Sequence, residues 1–209
     1  MHIYAFGSIC RGDVTSGSDV DLLAVTEGMD ARFDASAYSI YSYKRLRNLW
    51  EEGNPFAWHL FLESRLLFSD DQSDFVRALG RPRPYLAAVS DCDKFSLLFA
   101  SARASLLAET NSPTFELSTI FLAVRNFATC FSLGVTMKPD FSRRSALQLG
   151  PHSLFIGAKE FSILERARIM STRGIGVSVD RNELAVVVKS LNTIEQWMSD
   201  LSVVVRSHA

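Results

Sequence analysis

Two aspartates, Asp19 and Asp21, stand one residue apart at the entry to the apolar run Val20 to Thr26, and ten residues separate Asp19 from an upstream Gly7-Ser8 pair. Side chains alternate faces along a strand, so both carboxylates would project together from one face, a few ångströms apart. Like charges held that close repel unless a cation lies between them, and their hard oxygen ligands suit magnesium. Gly7 permits close backbone approach to a ligand, and Ser8 opens a segment that reads as a helix, whose first amides are free to receive a phosphate. The chemistry implied is the holding of a magnesium triphosphate.

A β-prone run, Ile3 to Phe6, delivers the Gly-Ser pair, and the polar, Gly-rich stretch Arg11 to Ser18 links it to the aspartates. A third β-prone run spans Tyr38 to Tyr43. Lys44 to Glu52 reads as a helix stopped by Gly53-Asn54-Pro55, and Phe56 to Leu67 as another, with a short extended end near Phe68. These elements predict a small α/β unit over residues 1–80.

Arg81-Pro82-Arg83-Pro84 interrupts the pattern, because each proline lacks an amide hydrogen and biases its predecessor toward extended backbone. A boundary is expected there, with a second domain over residues 85–209. Lys94 to Ala108 spaces Phe95, Leu98, Phe99, Ala102 and Leu106 helically, and Ser112-Pro113 caps a long apolar helix to about Leu133. Helices are also expected over Ser142 to Leu149, Ser153 to Ser171 and Arg181 to Val205. The fold class expected is α+β, a small mixed-sheet domain followed by an all-α bundle.

The 209 residues are 47% hydrophobic, which excludes a disordered chain. Lys plus Arg total 22 and Asp plus Glu 23, so the chain lacks the basic excess of a dedicated nucleic-acid binder. The halves differ: residues 1–92 carry 9 basic and 13 acidic side chains, residues 93–209 carry 13 and 10. Three cysteines, Cys10, Cys92 and Cys130, fit neither a disulfide framework nor a zinc site and read as reduced thiols. With no signal-like N-terminus and no apolar run near the roughly 18 residues of a membrane span, a soluble cytoplasmic protein with no membrane partner is expected.

Gly-Ser, ten residues, Asp-x-Asp, with Arg11-Gly12 embedded, resembles the nucleotidyltransferase superfamily related to DNA polymerase beta. In size and layout the chain is similar to the minimal nucleotidyltransferases and to aminoglycoside nucleotidyltransferase-like proteins with a helical C-terminal domain. The resemblance implies that Gly7, Ser8 and Arg11 bind the triphosphate and that Asp19 and Asp21 are catalytic and hold magnesium. It implies a nucleoside triphosphate, ATP first among them, as co-substrate.

The family often carries a third acid on the next strand, and Ser36 to Ser42 offers none. Asp34 lies three residues before Ala37, the wrong parity unless the strand starts later. The resemblance to antibiotic-modifying nucleotidyltransferases implies a substitute base on a C-terminal helix, and Glu116 is the candidate. It begins a stripe of small and polar residues, Glu116, Thr119, Ala123, Asn126 and Cys130, on an apolar helix. Such a stripe needs water, a partner or a ligand, or else is an exposed bundle face. Glu63, one turn beyond His59, is a second candidate, set against a plain helix-surface pair.

Arg125 to Cys130 is similar to the Arg-x4-His signature of HEPN ribonucleases, with cysteine replacing histidine. This implies a HEPN-like helical fold without that activity, since the imidazole would serve as acid or base. Arg125 is read as structural, with facing the triphosphate as its alternative. Arg143 and Arg144 are either phosphate-facing cations or solvated surface. His59, His152 and His208 share no metal-like spacing.

The activity expected is magnesium-dependent transfer of a nucleoside monophosphate to a hydroxyl, with release of pyrophosphate, in a cleft between the two domains. The acceptor is a small molecule or a partner protein, RNA being a third possibility, and the chain is expected as a homodimer or bound to a toxin. The alternative is a degenerate, antitoxin-like nucleotidyltransferase module that binds without reacting.

Overall fold

The computed structural model describes residues 1–13, 20–28, 30–108 and 111–208, and the chain divides into two compact units, Met1–Tyr85 and Leu86–Ala209. Asp19, and with it the pairing of Asp19 with Asp21, lies outside the described residues.

In the first unit β1 (His2–Phe6), β2 (Asp21–Thr26), β3 (Tyr38–Ser42) and β4 (Arg65–Ser69) form a mixed sheet in the order β3-β2-β1-β4. β1 runs antiparallel to β2 and β4, while β2 and β3 are parallel. Phe6 pairs with Asp21, so Asp21 shares a face with Phe6, Tyr4, Leu23 and Val25. That face is covered by α2 (Tyr43–Glu51) and α3 (Pro55–Glu63), whose Leu46, Leu49, Trp50, Ala57 and Leu60 complete the core. Each helix begins at a cap: Ser42 accepts from Arg45 N and Asn54 from Phe56 N, with Pro55 at the first turn. Gly53 joins them at φ +62, and a Cβ there would lie 2.7 Å from the Arg83 carbonyl, so only glycine fits the turn.

Helix α3 is shorter than its apolarity predicts. It ends at Glu63, Ser64 turns extended, and residues 65–69 pair with β1 as the outer strand. Leu66-Leu67-Phe68 is apolar enough for either state, and the ladder decides it. Tyr4 pairs with Leu66 and Ile3 with Phe68, which leaves Leu67 as an extra residue, a β-bulge. A short helix, α4 (Phe75–Ala78), follows, capped by Asp74. Tyr4 is buried with its hydroxyl donating to Asp74 Oδ1 at 3.0 Å and accepting from Val76 N.

The second unit is helical: α5 (Ala88–Leu107), α6 (Pro113–Phe131), α7 (Ala158–Arg173), α8 (Arg181–Val188) and α9 (Leu191–Ser207). Helix α6 packs against α5, α7 and α9. Pro113–Thr136 is, against expectation, long and apolar enough by composition to cross a membrane, but Leu117, Ile120, Val124, Phe127 and Phe131 are buried among its neighbours. It runs on as a π-turn, Ser132–Thr136.

Four expected helices differ, the first in its start: the one expected from Lys94 begins earlier, at Ala88. Residues 142–149 form only a 3₁₀ turn at Ser145–Leu147, because the segment is tied to α6: Arg125 donates to the carbonyls of Phe141 (2.7 Å) and Ser142 (3.3 Å), and Ser145 Oγ to Arg125 O. The helix expected from Ser153 starts at Ala158, after Gly157. The one expected over 181–205 is two, broken at Lys189-Ser190, the first opening with a capping box between Asp180 and Glu183.

Candidate active site of the N-terminal unit

β1 delivers Gly7 at its end. Gly7 has φ +74, and its carbonyl accepts from Cys10 N and Arg11 N, starting α1 (Ser8–Arg11). Gly12, left-handed at φ +79, stops that helix after one turn. A Cβ on Gly7 would stand 2.5 Å from Asp21 Oδ2, so the carboxylate occupies the room that the missing side chain leaves. Gly-Ser and the second aspartate are thus brought together, with Gly7 buried and Asp21 half-buried at the start of β2.

Arg11 turns back across this site. Its Nε donates to Asp13 Oδ2 at 3.0 Å and its Nη1 is ion-paired with Glu63 Oε2, the last residue of α3. The same oxygen receives His59 Nε2 at 2.9 Å, and the His59 ring lies edge-on to Phe6, 5.5 Å between centroids. Burial works against the charge of Arg11, but the bond to Asp13 and the charge of Glu63 outweigh it and hold the guanidinium more firmly protonated than usual. Cys10, with Sγ donating to Ala5 O at 3.4 Å, samples the same field: burial pushes its thiol up, opposed most by Arg65, with Glu63, Arg11 and Asp21 also acting on it. Asp21 and Glu63 therefore flank one short helix.

β3 carries no carboxylate. By its register with β2, the residues sharing the face of Asp21 are Ser39 and Tyr41. Asp34 lies before β3, accepting from Ser36 N at 2.8 Å in a turn, which keeps its carboxyl below the usual range through that bond. Among the described residues no three of His, Cys, Asp and Glu cluster as a metal site.

In the helical unit Glu116 accepts from Ser105 Oγ at 2.7 Å, which fastens the start of α6 to α5. The stripe it heads is not an exposed face: Ala123 and Cys130 are buried, and Thr119 Oγ1 donates to Phe115 O. Arg125 has the structural place expected of it, on the carbonyls of Phe141 and Ser142. Arg143 pairs with Glu165 at 4.0 Å, while Arg144 is exposed.

Sequence reasoning set Glu63 second to Glu116 and did not link it to Arg11, 52 positions away. The one signal was its place: an acid ending a helix without a basic residue in the last turn opposes the helix dipole and calls for a cation from elsewhere.

Residues 2–74 match the family model described as a nucleotidyltransferase domain. The first unit therefore carries a match to that domain, which supports nucleotidyl transfer in general. No curated protein is similar enough to the chain to count as a relative.

Proposed function

We propose that the protein transfers a nucleoside monophosphate from a nucleoside triphosphate, ATP first among them, to a hydroxyl of a small molecule or a partner protein, releasing pyrophosphate. The observation that carries this reading is the seating of the Asp21 carboxylate in the hollow of Gly7, beside the short helix that bears Arg11. A carboxylate with hard oxygens at that place suits magnesium, and Asp21 with Asp19 would hold it; when bound, the ion neutralises charge developing on the phosphates. Ser8 and the backbone around Gly7 would bind the phosphates, and Arg11 would grip the leaving pyrophosphate. Glu116 is proposed as the acceptor's base. The three free thiols suit a reducing compartment, and we place the protein in the cytoplasm.

Calorimetric titration with ATP, CTP, GTP and UTP, with and without magnesium, tests the reading. Magnesium-dependent binding by the folded protein, lost in the double variant Asp19→Ala, Asp21→Ala, is the expected result, with turnover falling by about 100-fold or more. Glu116→Gln should leave that binding intact and lower turnover. Failure of the folded protein to bind any of the four would leave the degenerate, antitoxin-like module.

A further inference from the structure

We infer that Glu63, backed by His59, is the positioning residue that sets Arg11 for the triphosphate; this rests on the function proposed above. Arg11 leaves the last turn of a one-turn helix on a side chain with many rotamers, so nothing in its own element fixes the guanidinium. Two carboxylates do so from different directions, Asp13 at Nε and Glu63 at Nη1. Asp13 is exposed, whereas Glu63 and Arg11 are 13% and 20% exposed. The inner bond is therefore the one shielded from water and salt. His59, 14% exposed and lodged against Phe6, holds the same Oε2, so the carboxylate itself is oriented by a ring packed on the sheet.

The arrangement has a cost, since Glu63 ends α3 with its charge opposed to the helix dipole and with no basic residue in that turn. Helix-surface pairing with His59 alone does not require that position, but a hold on Arg11 does. The layout is that of a binding side chain whose orientation is fixed before the ligand arrives, as preorganised sites require.

The test is a double-mutant cycle on the full chain, titrating the magnesium complexes of the four nucleotides and of inorganic pyrophosphate calorimetrically. Glu63→Gln should weaken nucleotide and pyrophosphate alike, by about tenfold, while in an Arg11→Ala background it should add no further loss. Glu63→Asp, which keeps the charge but withdraws it by one methylene, should give a smaller loss with the same dependence on Arg11, and serves if the glutamine variant fails to fold. Equal losses in both backgrounds would mark a merely structural residue and overturn the inference, as would unchanged binding in Glu63→Gln. Wild-type protein that binds neither probe overturns the proposed function and this inference together; binding lost in Asp21→Ala but kept in Glu63→Gln overturns this inference alone.

Discussion

At the scale of single residues, the site is a set of side chains whose charges answer one another across one turn of helix. Cys10 reports on it directly. Its thiol is pushed up by burial and is half-buried, whereas Cys92 and Cys130 are 1% and 3% exposed, and burial also drives the Cys92 thiol far above the ordinary thiol range. Only the thiolate attacks an alkylating reagent. Iodoacetamide should therefore modify Cys10 in the folded protein, more slowly than an exposed cysteine at neutral pH and faster as pH rises, while Cys92 and Cys130 react only in denaturant; peptide mass analysis reads all three. The Gly-Ser and Asp-x-Asp spacing drew attention to Gly7 and Asp21, but the glycine was read as room for a ligand; that the Asp21 carboxylate takes up this room is a tertiary contact with no local signature. Nor was the role of Glu63 legible, since its partner Arg11 becomes a neighbour only once α3 is known to end where it does.

At the scale of elements, the ladder between β1 and β4 decided what local propensity left open. The same pairing gathers a polar knot at its far end: His2, 3% exposed, contacts Tyr43 Oη at 2.7 Å and Ser73 Oγ at 3.1 Å, and Asp71 accepts from Ser69 and Ser73 hydroxyls at 2.7 Å. Those bonds from Ser69 and Ser73 hold the Asp71 carboxyl well below the usual carboxylate range. A folded pKa depressed below the unfolded value of roughly 3.9 stabilises above that value, and the contribution is lost as pH falls through the folded pKa. Asp71→Asn should therefore lower stability at neutral pH and flatten the acid limb of the melting-temperature profile below about pH 4. In the second unit the helices were legible where caps and apolar spacing agreed, as at Ser112-Pro113 opening α6. They were not legible over 142–149, where the guanidinium of Arg125 fixes the backbone from 16 residues away, a tertiary bond with no local signature.

At the scale of the whole molecule, there are two cores. The sheet and its two covering helices bury Tyr4, Leu23 and Leu46, and the bundle buries Phe127, which is 0% exposed and packs on Trp197 with 5.4 Å between ring centroids. Phe127→Ala should cost about 3 to 5 kcal/mol, the transfer of a large ring plus the cavity it leaves. Hydrogen exchange followed by mass spectrometry should show the lost protection across residues 86–209, with residues 1–85 much less affected, because local stability follows the core to which a residue belongs. The division between Tyr85 and Leu86 falls just past Arg81-Pro82-Arg83-Pro84, whose prolines, unlike Pro55 and Pro113 at helix starts, stand where an element would have to continue.

The extra residue Leu67 bears on how the chain behaves in company. Leu67 and Phe68 are 58% and 46% exposed on an outer strand, the combination from which cross-β growth starts. A ladder one residue out of step bends that strand and presents a poor template to a second chain. Deleting Leu67 would set Leu66 and Phe68 in regular pairing with Tyr4 and Ile3 and straighten the rim. The shortened protein should then scatter light and bind thioflavin T at concentrations where the parent chain stays clear, so one irregular residue guards against fibre formation.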